Sequence, residues 1–186
     1  MPRNADILPA LGKGKHSSSH ILQWCPVTHY QRIQRYDRAT KDLSDNLNQK
    51  YDTRDEPSVH TRDNRYIPDL LVIDKDDRTG CLIETTVVWE HKSSLLYAAK
   101  IKKDKYNRSE ILENIRLKYN LLENPTVLLF VIGARGGWRP SNDIIWKKYN
   151  LPNHLKRIIV CNAMHYGSYI HRTFITHTWR MRKKKK

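Results

Sequence analysis

The stretch that decides the fold, residues 67–92, reads IPDLLVIDKDDRTGCLIETTVVWEHK, and the acidic residues Asp69 and Glu84 each fall within one of its two strand-like runs. Both halves of the stretch are apolar and β-branched, and the polar segment between them has Asp77 and Gly80 where a turn requires such residues. This pattern predicts a β-hairpin. Acidic residues are depleted in strands, so the presence of Asp69 and Glu84 calls for an explanation.

The hairpin offers that explanation, because it returns the second strand beside the first and lets Asp69 and Glu84 converge. Two carboxylates held together repel each other, and their burial is costly unless a cation shares the site. Mg²⁺ suits such a pair, since it binds carboxylate oxygens and keeps positions for water and phosphate. In the alternative interpretation, Asp69 caps a strand end and Glu84 pairs with a lysine on a solvated face.

The next segment, SSLLYAAKIKKDKY, predicts a helix that presents basic side chains toward the sheet. The residues on that side, at helical spacing, are Leu95, Ala98, Ala99, Lys102, Lys105 and Tyr106. A lysine in this position could stabilise negative charge on a phosphate. The alternative is that both lysines are surface residues whose apolar stems cover the core.

The remaining periodicity completes an α/β pattern in which a mixed β-sheet is flanked by helices. A helix is expected to run to about residue 47 after a turn at Pro26, and a second helical region to break near residues 107–109. The run TVLLFVIGARGG is typical of a strand that is buried on both faces. The other expected segments are a polar linker over 48–58 and helices over 141–149 and 153–174.

Composition points to a polyanionic partner. The net charge is +15, and the last seven residues, RMRKKKK, carry six of those positive charges, which leaves +9 on the body. Nucleic acid is the first candidate and an anionic membrane surface the second. The sequence has no apolar run that could span a bilayer and no secretory signal, so an intracellular protein is expected. Three widely spaced cysteines argue against a disulfide framework, and Cys81 and Cys161 are expected to be buried apolar residues.

The hairpin and the helix after it resemble the restriction-like endonuclease domain of Pol polyproteins from site-specific, early-branching non-LTR retrotransposons, within the PD-(D/E)XK superfamily. The proline-aspartate of that family matches the dipeptide ending at Asp69, and its second acid matches Glu84 within ETTVVWE. Its helical lysines and tyrosine match Lys102, Lys105 and Tyr106. Ordinary restriction nucleases place the lysine two residues after the acid, where this chain has a threonine.

This resemblance implies a restriction-endonuclease-like fold and a Mg²⁺- or Mn²⁺-dependent nuclease in the nucleus. Asp69 and Glu84 would hold the metal, Lys102 or Lys105 would steady the attacked phosphate, and Tyr106 would orient one of them. The reaction would nick target DNA and expose a 3′ hydroxyl for retrotransposon integration by target-primed reverse transcription. The partners would be DNA and RNA of the parent element. The rival interpretation is a catalytically decayed fragment that acts only as a basic nucleic-acid-binding protein.

Other blocks of the chain also resemble that family, namely SHILQWCPVTHYQRIQRYD, LLFVIGARGGWRPSN and CNAMHYGSYIHRTF. In the first block, His20 and Cys25 match half of a zinc knuckle, but no cysteine pair precedes them. Zinc normally takes four N or S ligands, so even with His16 and His29 nearby we expect a weak or absent zinc site. Tyr36 stands where the family prefers histidine, and Ile67 stands where it prefers a basic residue.

The expected organisation has four parts: a flexible basic arm over 1–19, a zinc-knuckle remnant with its helix over 20–50, the endonuclease domain over 51–179, and a basic tail over 180–186. The tail alone could be a nuclear-import or solubilising segment. Trp138 either stacks on a base or anchors its loop in the core. The residues proposed to contact nucleic acid are Arg35, Arg65, Arg135 and Arg139. The sequence leaves the DNA target and the oligomeric state open, and a larger element, a decayed copy and a domesticated nuclease are alternative origins.

Overall fold

A computed structural model describes residues 17–91 and 94–183, with the side chains at 94, 95 and 182 excluded. Most of the predicted arm, His16 and the last three residues of the tail therefore lie outside the described residues, as does the side chain of Leu95 in the helix stripe. The helices are α1 (Ser18–Gln23), α2 (His29–Leu47), α3 (Ser94–Tyr106), α4 (Ser109–Lys118), α5 (Asp143–Lys148) and α6 (Asn153–Lys183). The strands are β1 (Asp52–Asp55), β2 (Val59–His60), β3 (Arg65–Tyr66), β4 (Leu70–Asp74), β5 (Thr79–Val88) and β6 (Thr126–Gly133).

A four-stranded mixed sheet with the order β1-β4-β5-β6 forms the centre of the fold. β4 pairs antiparallel with β1 and with β5, whereas β6 runs parallel to β5. The α/β class and the mixed sheet predicted from the sequence are therefore confirmed. Within the described residues, no helix has both the length and the apolar character that a membrane span requires.

The β4–β5 hairpin is confirmed, but its turn differs from the prediction. Leu70 pairs with Ile83 at the open end, and Gly80 lies inside β5 opposite Ile73. A Cβ atom on Gly80 would lie 2.5 Å from the Leu121 side chain, so glycine permits close packing there. The left-handed position of the turn is taken by Arg78, with φ 51°.

Both edges of the sheet depart from the prediction. The expected linker contains β1, whose polar sequence DTRD gave no strand signal because an edge strand is largely solvated. At the other edge, β6 is not buried on both faces along its whole length. Only its second half, from Phe130 to Gly133, is fully buried, while its first half is partly exposed. The strand ends at Gly133, before the remaining glycines of TVLLFVIGARGG.

Helices cover the two faces of the sheet. On one face, α2, α5 and α6 enclose a core that includes Leu43, Leu70, Ile83, Phe130 and Ile159. On the other face, α4 packs over the β4–β5 hairpin in a smaller apolar cluster. Strand alternation accounts for the division, since odd and even residues of β5 point to opposite sides. A third cluster joins α1 to α6.

Three further details correct the sequence interpretation. Ser17 caps α1 by accepting a hydrogen bond from the His20 backbone N–H, so residues 18 and 19 are helical and not part of a loose arm. α6 runs past residue 174 to Lys183, which places residues 180–183 in a helix. Cys161 is exposed on α6, whereas Cys81 is buried; both are free, as is Cys25.

Candidate active site

Asp69, immediately before β4, and Glu84 of β5 lie side by side, in the arrangement that the hairpin predicts. The backbone N–H of Asp69 donates to Glu84 Oε1 at 3.1 Å, and the backbone N–H of Thr85 donates to Asp69 Oδ2 at 2.7 Å. Each acid is therefore held by a backbone group of the other strand. Glu84 is fully buried, and the Asp69 side chain is 13% exposed. This exchange fixes both carboxylates at the start of β4.

Lys102 brings a positive charge to both acids. Its Nζ lies 3.0 Å from Asp69 Oδ2 and 3.0 Å from Glu84 Oε2, and it donates a hydrogen bond to each. The ammonium also lies 5.9 Å from the centre of the Tyr36 ring and 5.8 Å from that of Tyr106, within cation–π range of both. Lys102 therefore lies on the side of α3 that helical spacing predicts to face the sheet, and it contacts both acids.

The protonation of this cluster follows from burial and charge balance. Burial, together with the charge of Asp69, raises the pKa of Glu84 to about 8 despite the opposing effect of Lys102. Burial by itself would lower the pKa of Lys102, but the carboxylates of Glu84 and Asp69 raise it overall. Burial and the neighbouring Asp69 charge therefore favour the protonated form of Glu84, while the hydrogen bonds from Lys102 and from the Asp69 backbone N–H oppose it.

Lys105 and Tyr106 form a second pair that supports the cluster. Lys105 Nζ donates to Tyr106 Oη at 2.8 Å, and the Tyr106 hydroxyl donates to the carbonyl of Ile67 at 2.9 Å. Burial and the nearby charge of Lys102 lower the pKa of Lys105, and burial raises the pKa of Tyr106. Tyr106 therefore orients Lys105, and it holds the backbone that leads into Asp69. All five predicted catalytic residues lie together, while their roles stay predictions.

Tyr36 is a further member of the site that sequence reasoning did not place there. Its pKa is raised by burial, then by the charge of Asp69 and by a hydrogen bond to the Asp69 side chain. The phenol approaches from α2, which precedes the hairpin by more than 20 residues. The one signal in the sequence was its place in the family pattern, where histidine is preferred.

The four arginines predicted to contact nucleic acid have different environments. Arg35 is 2% exposed and donates from Nη2 to the carbonyl of Leu22 at 2.9 Å, so it is a buried residue, and its contact with nucleic acid stays a prediction. Arg65 is exposed, and its Nε donates to the Ser58 hydroxyl. Arg135 pairs with Glu90 at 3.3 Å and lies over the Trp89 ring; Arg139 is partly exposed.

The structure also shows the surroundings of Trp138 and of Cys25 in the zinc-knuckle remnant. Trp138 anchors its loop, because its ring packs against Phe130 and Trp146 and its Nε1 donates to Asp143. Cys25 is 3% exposed within the apolar cluster between α1 and α6. Across residues 17–91 and 94–183, no three His, Cys, Asp or Glu side chains are grouped to hold a metal ion.

The donor set at Asp69 and Glu84 nevertheless fits Mg²⁺ or Mn²⁺. These hard cations take one or two carboxylates from a protein and complete their shell with water and phosphate oxygens. The Lys102 ammonium, held by one oxygen of each acid, shows that a single cation can reach both carboxylates. A divalent cation would also favour loss of the Glu84 proton.

Comparison with known proteins gives a consistent relationship. No family model matches the chain. Three curated relatives from Popillia japonica are described as Retrovirus-related Pol polyprotein from type-1 retrotransposable element R2. They are 31%, 29% and 29% identical to this chain over 171, 170 and 161 residues, which cover 89%, 88% and 86% of it. The chain spans 27%, 37% and 33% of their lengths, so it is homologous to one segment of a retrotransposon Pol polyprotein.

Proposed function

We propose that this homologue of R2 Pol polyproteins is a DNA endonuclease with a restriction-endonuclease-like fold. It nicks one strand of target DNA with Mg²⁺ or Mn²⁺ and leaves a 3′ hydroxyl that primes reverse transcription during retrotransposon integration. The observation that carries the proposal is the single ammonium group of Lys102, which bonds to both Asp69 and Glu84 at 3.0 Å. A buried acid pair with its own cation is the kind of perturbed cluster that marks functional sites.

The chemistry divides among the residues of the cluster. When bound, the divalent cation polarises the phosphodiester and lowers the pKa of the attacking water. Asp69 and Glu84 hold that cation, and their crossed backbone hydrogen bonds keep both carboxylates in place. Lys102, which bonds to both acids, would turn its ammonium to an oxygen of the attacked phosphate once the metal is held. Lys105 donates to the Tyr106 hydroxyl, whereas Lys102 donates to both acids, so we assign the catalytic role to Lys102.

The partners in this proposal are DNA and RNA of the parent element, and the site of action is the nucleus. The net charge of +15 supports binding to a polyanion, because each neutralised phosphate releases counterions. We propose no zinc site here, since the Cys25 side chain packs among apolar residues between α1 and α6.

The test is a supercoiled-plasmid nicking assay. With Mg²⁺ the chain is expected to convert supercoiled DNA to the open circle, and excess EDTA is expected to abolish this because the acid pair then lacks its divalent ion. Mn²⁺ should restore activity. Absence of nicking with either metal, together with salt-sensitive DNA binding, would favour the decayed nucleic-acid-binding protein instead.

The pH profile provides a second prediction. A Glu84 that holds a proton must lose it to bind the metal, so nicking at subsaturating Mg²⁺ should rise as pH increases toward and through the pKa of about 8. Raising the Mg²⁺ concentration should shift the midpoint to lower pH, because metal and proton compete for the same carboxylate. Initial rates at a series of pH values and two Mg²⁺ concentrations measure this. A profile that is independent of Mg²⁺ would contradict the assignment.

A further inference from the structure

A cavity of about 240 Å³ adjoins the candidate active site, between the end of α1 and the beginning of α2. Gln23, Arg32 and Arg35 contribute polar groups to its wall, and Val87 of β5 lines it from the sheet. Tyr36 belongs to both places: its ring lines the cavity, and its hydroxyl bonds to the Asp69 side chain. The cavity is therefore one side chain away from the acid pair.

Three of the residues that line the cavity have buried hydrogen-bond donors without partners. They are Gln23 Nε2, Arg32 Nε, and Arg35 Nε and Nη1. Arg35 is 2% exposed, so its guanidinium has little access to bulk solvent. Buried polar groups nearly always find a partner, and a group of unpaired donors with two positive charges calls for an acceptor that carries negative charge.

The same arginines are held rigidly by their other nitrogen atoms. Arg35 Nη2 donates to the carbonyl of Leu22, while Arg32 donates from Nη1 to the carbonyl of Gln23 and from Nη2 to that of Cys25. These carbonyls belong to the end of α1 and the residues just after it, which the arginines cap. These bonds restrict both guanidinium groups, which lowers the entropic cost of binding, but the unpaired nitrogen atoms are themselves buried, so a small movement of the cavity wall must open them to a ligand.

The nearby acids do not fill the cavity. Burial and then the charge of Arg32 lower the pKa of Arg35 to about 10, although the charge of Glu90 acts to raise it. The Glu90 carboxylate already accepts hydrogen bonds from the backbone N–H groups of Arg135 and Gly137. Asp69 accepts from Lys102 and is on the far side of Tyr36. The two guanidinium groups are left with a net positive charge.

We propose that this cavity is a phosphate subsite, which binds a backbone phosphate of the DNA close to the one cut at Asp69 and Glu84. The inference rests on the proposed function for its ligand, since DNA is the substrate there. Guanidinium groups match the geometry of phosphate oxygens and donate to two of them at once. A phosphate bound here would place the strand across Tyr36 and toward Lys102.

The first experiment uses inorganic phosphate as the probe. Thermal unfolding of the whole chain is followed as phosphate replaces chloride at constant ionic strength, and the parent is expected to be stabilised progressively. Gln23→Glu places a carboxylate beside both arginines, so this variant should fold at least as stably but lose the phosphate response, with an apparent affinity reduced at least about tenfold. The matched control is Lys41→Met in α2, the helix of both arginines, where Lys41 pairs with Asp45; this variant should respond as the parent does.

The second experiment identifies the source of the phosphate. DNA binding is measured by fluorescence anisotropy in EDTA over a range of salt concentrations. Loss of one phosphate contact in Gln23→Glu should reduce the slope of log affinity against log salt by about 0.9, and inorganic phosphate should weaken DNA binding more in the parent than in the variant. Lys41→Met should retain the slope of the parent.

Three outcomes would overturn the subsite: no phosphate stabilisation of the parent, an equal response in Gln23→Glu, or phosphate binding without any change in the DNA salt slope, which indicates a site for free anions only. Neither measurement requires cleavage. A chain that nicks DNA but fails both tests disproves the subsite and leaves the nuclease standing, whereas a chain that passes both and never nicks disproves the nuclease alone.

Discussion

Asp69→Asn and Glu84→Gln are each expected to lower Mg²⁺-dependent nicking by about a thousandfold or more. Each change keeps the size of the side chain but removes one of the two carboxylates that meet at Lys102. A loss of that size corresponds to about 4 kcal/mol of transition-state stabilisation, which is in the range of a lost metal contact. Single-turnover nicking rates at saturating Mg²⁺ measure it.

The control for these variants is Asp45→Asn. Asp45 is an exposed acid on α2 that pairs with Lys41 and takes no part in the cluster, so its loss should leave the nicking rate within about twofold of the parent. DNA binding in EDTA should be unchanged or tighter in Asp69→Asn and Glu84→Gln, because each removes a negative charge. Equal activity of Glu84→Gln and the parent would show that Glu84 does not hold the metal.

Lys102→Met is expected to reduce both activity and stability. Removing the ammonium leaves Asp69 and the fully buried Glu84 without their shared partner, which should lower the free energy of unfolding by about 3 kcal/mol. Nicking should fall about a hundredfold, as for other lost donors to a reacting oxyanion. Denaturant unfolding and single-turnover nicking measure the two effects.

The stability loss should depend on pH in a defined direction. Glu84 has a pKa raised to about 8, so its protonated form favours the folded state, and this contribution disappears as pH rises through that value. Without Lys102 the pKa of Glu84 rises further, because only the hydrogen bond from the Asp69 backbone N–H then opposes that rise, so Lys102→Met should be least stable relative to the parent above pH 8.

Two further variants separate Lys102 from its neighbours. Lys105→Met should cost less, because Lys105 bonds to the Tyr106 hydroxyl and not to the acids. Adding Glu84→Gln to Lys102→Met should recover part of the lost stability, since the two residues are coupled. A Lys105→Met variant as inactive as Lys102→Met would assign the catalytic lysine differently.

Local sequence patterns correctly predicted that the two acids lie close together and which side of α3 carries Lys102. The hairpin from β4 to β5 follows from two β-branched runs around a polar turn, and the two-residue period of a strand settles that Glu84 and Ile83 face opposite ways. The side of α3 that carries Ala99, Lys102 and Tyr106 likewise follows from helical spacing. These signals depend on residues close together in the chain, which is why they can be read without coordinates.

Errors arose where burial depends on distant elements. β1 was missed because an edge strand that is largely solvated can have a polar sequence, and β6 was assigned too much burial because its apolar composition does not reveal that it is an edge. Arg35 looked like a surface residue on an amphipathic helix. Its buried guanidinium donates to the Leu22 carbonyl of α1, and no periodicity within α2 could indicate this contact.

The sequence by itself therefore determined the hairpin, the common face of its two acids and the basic side of the following helix, since each follows from the repeat of a single element. Tertiary packing alone decided that Lys102, one turn ahead of Lys105, reaches both acids, and that Tyr36 reaches Asp69 from α2. Helical spacing puts both lysines on one face equally well. Only the position of α3 over the sheet, set by contacts between residues far apart in the chain, distinguishes them.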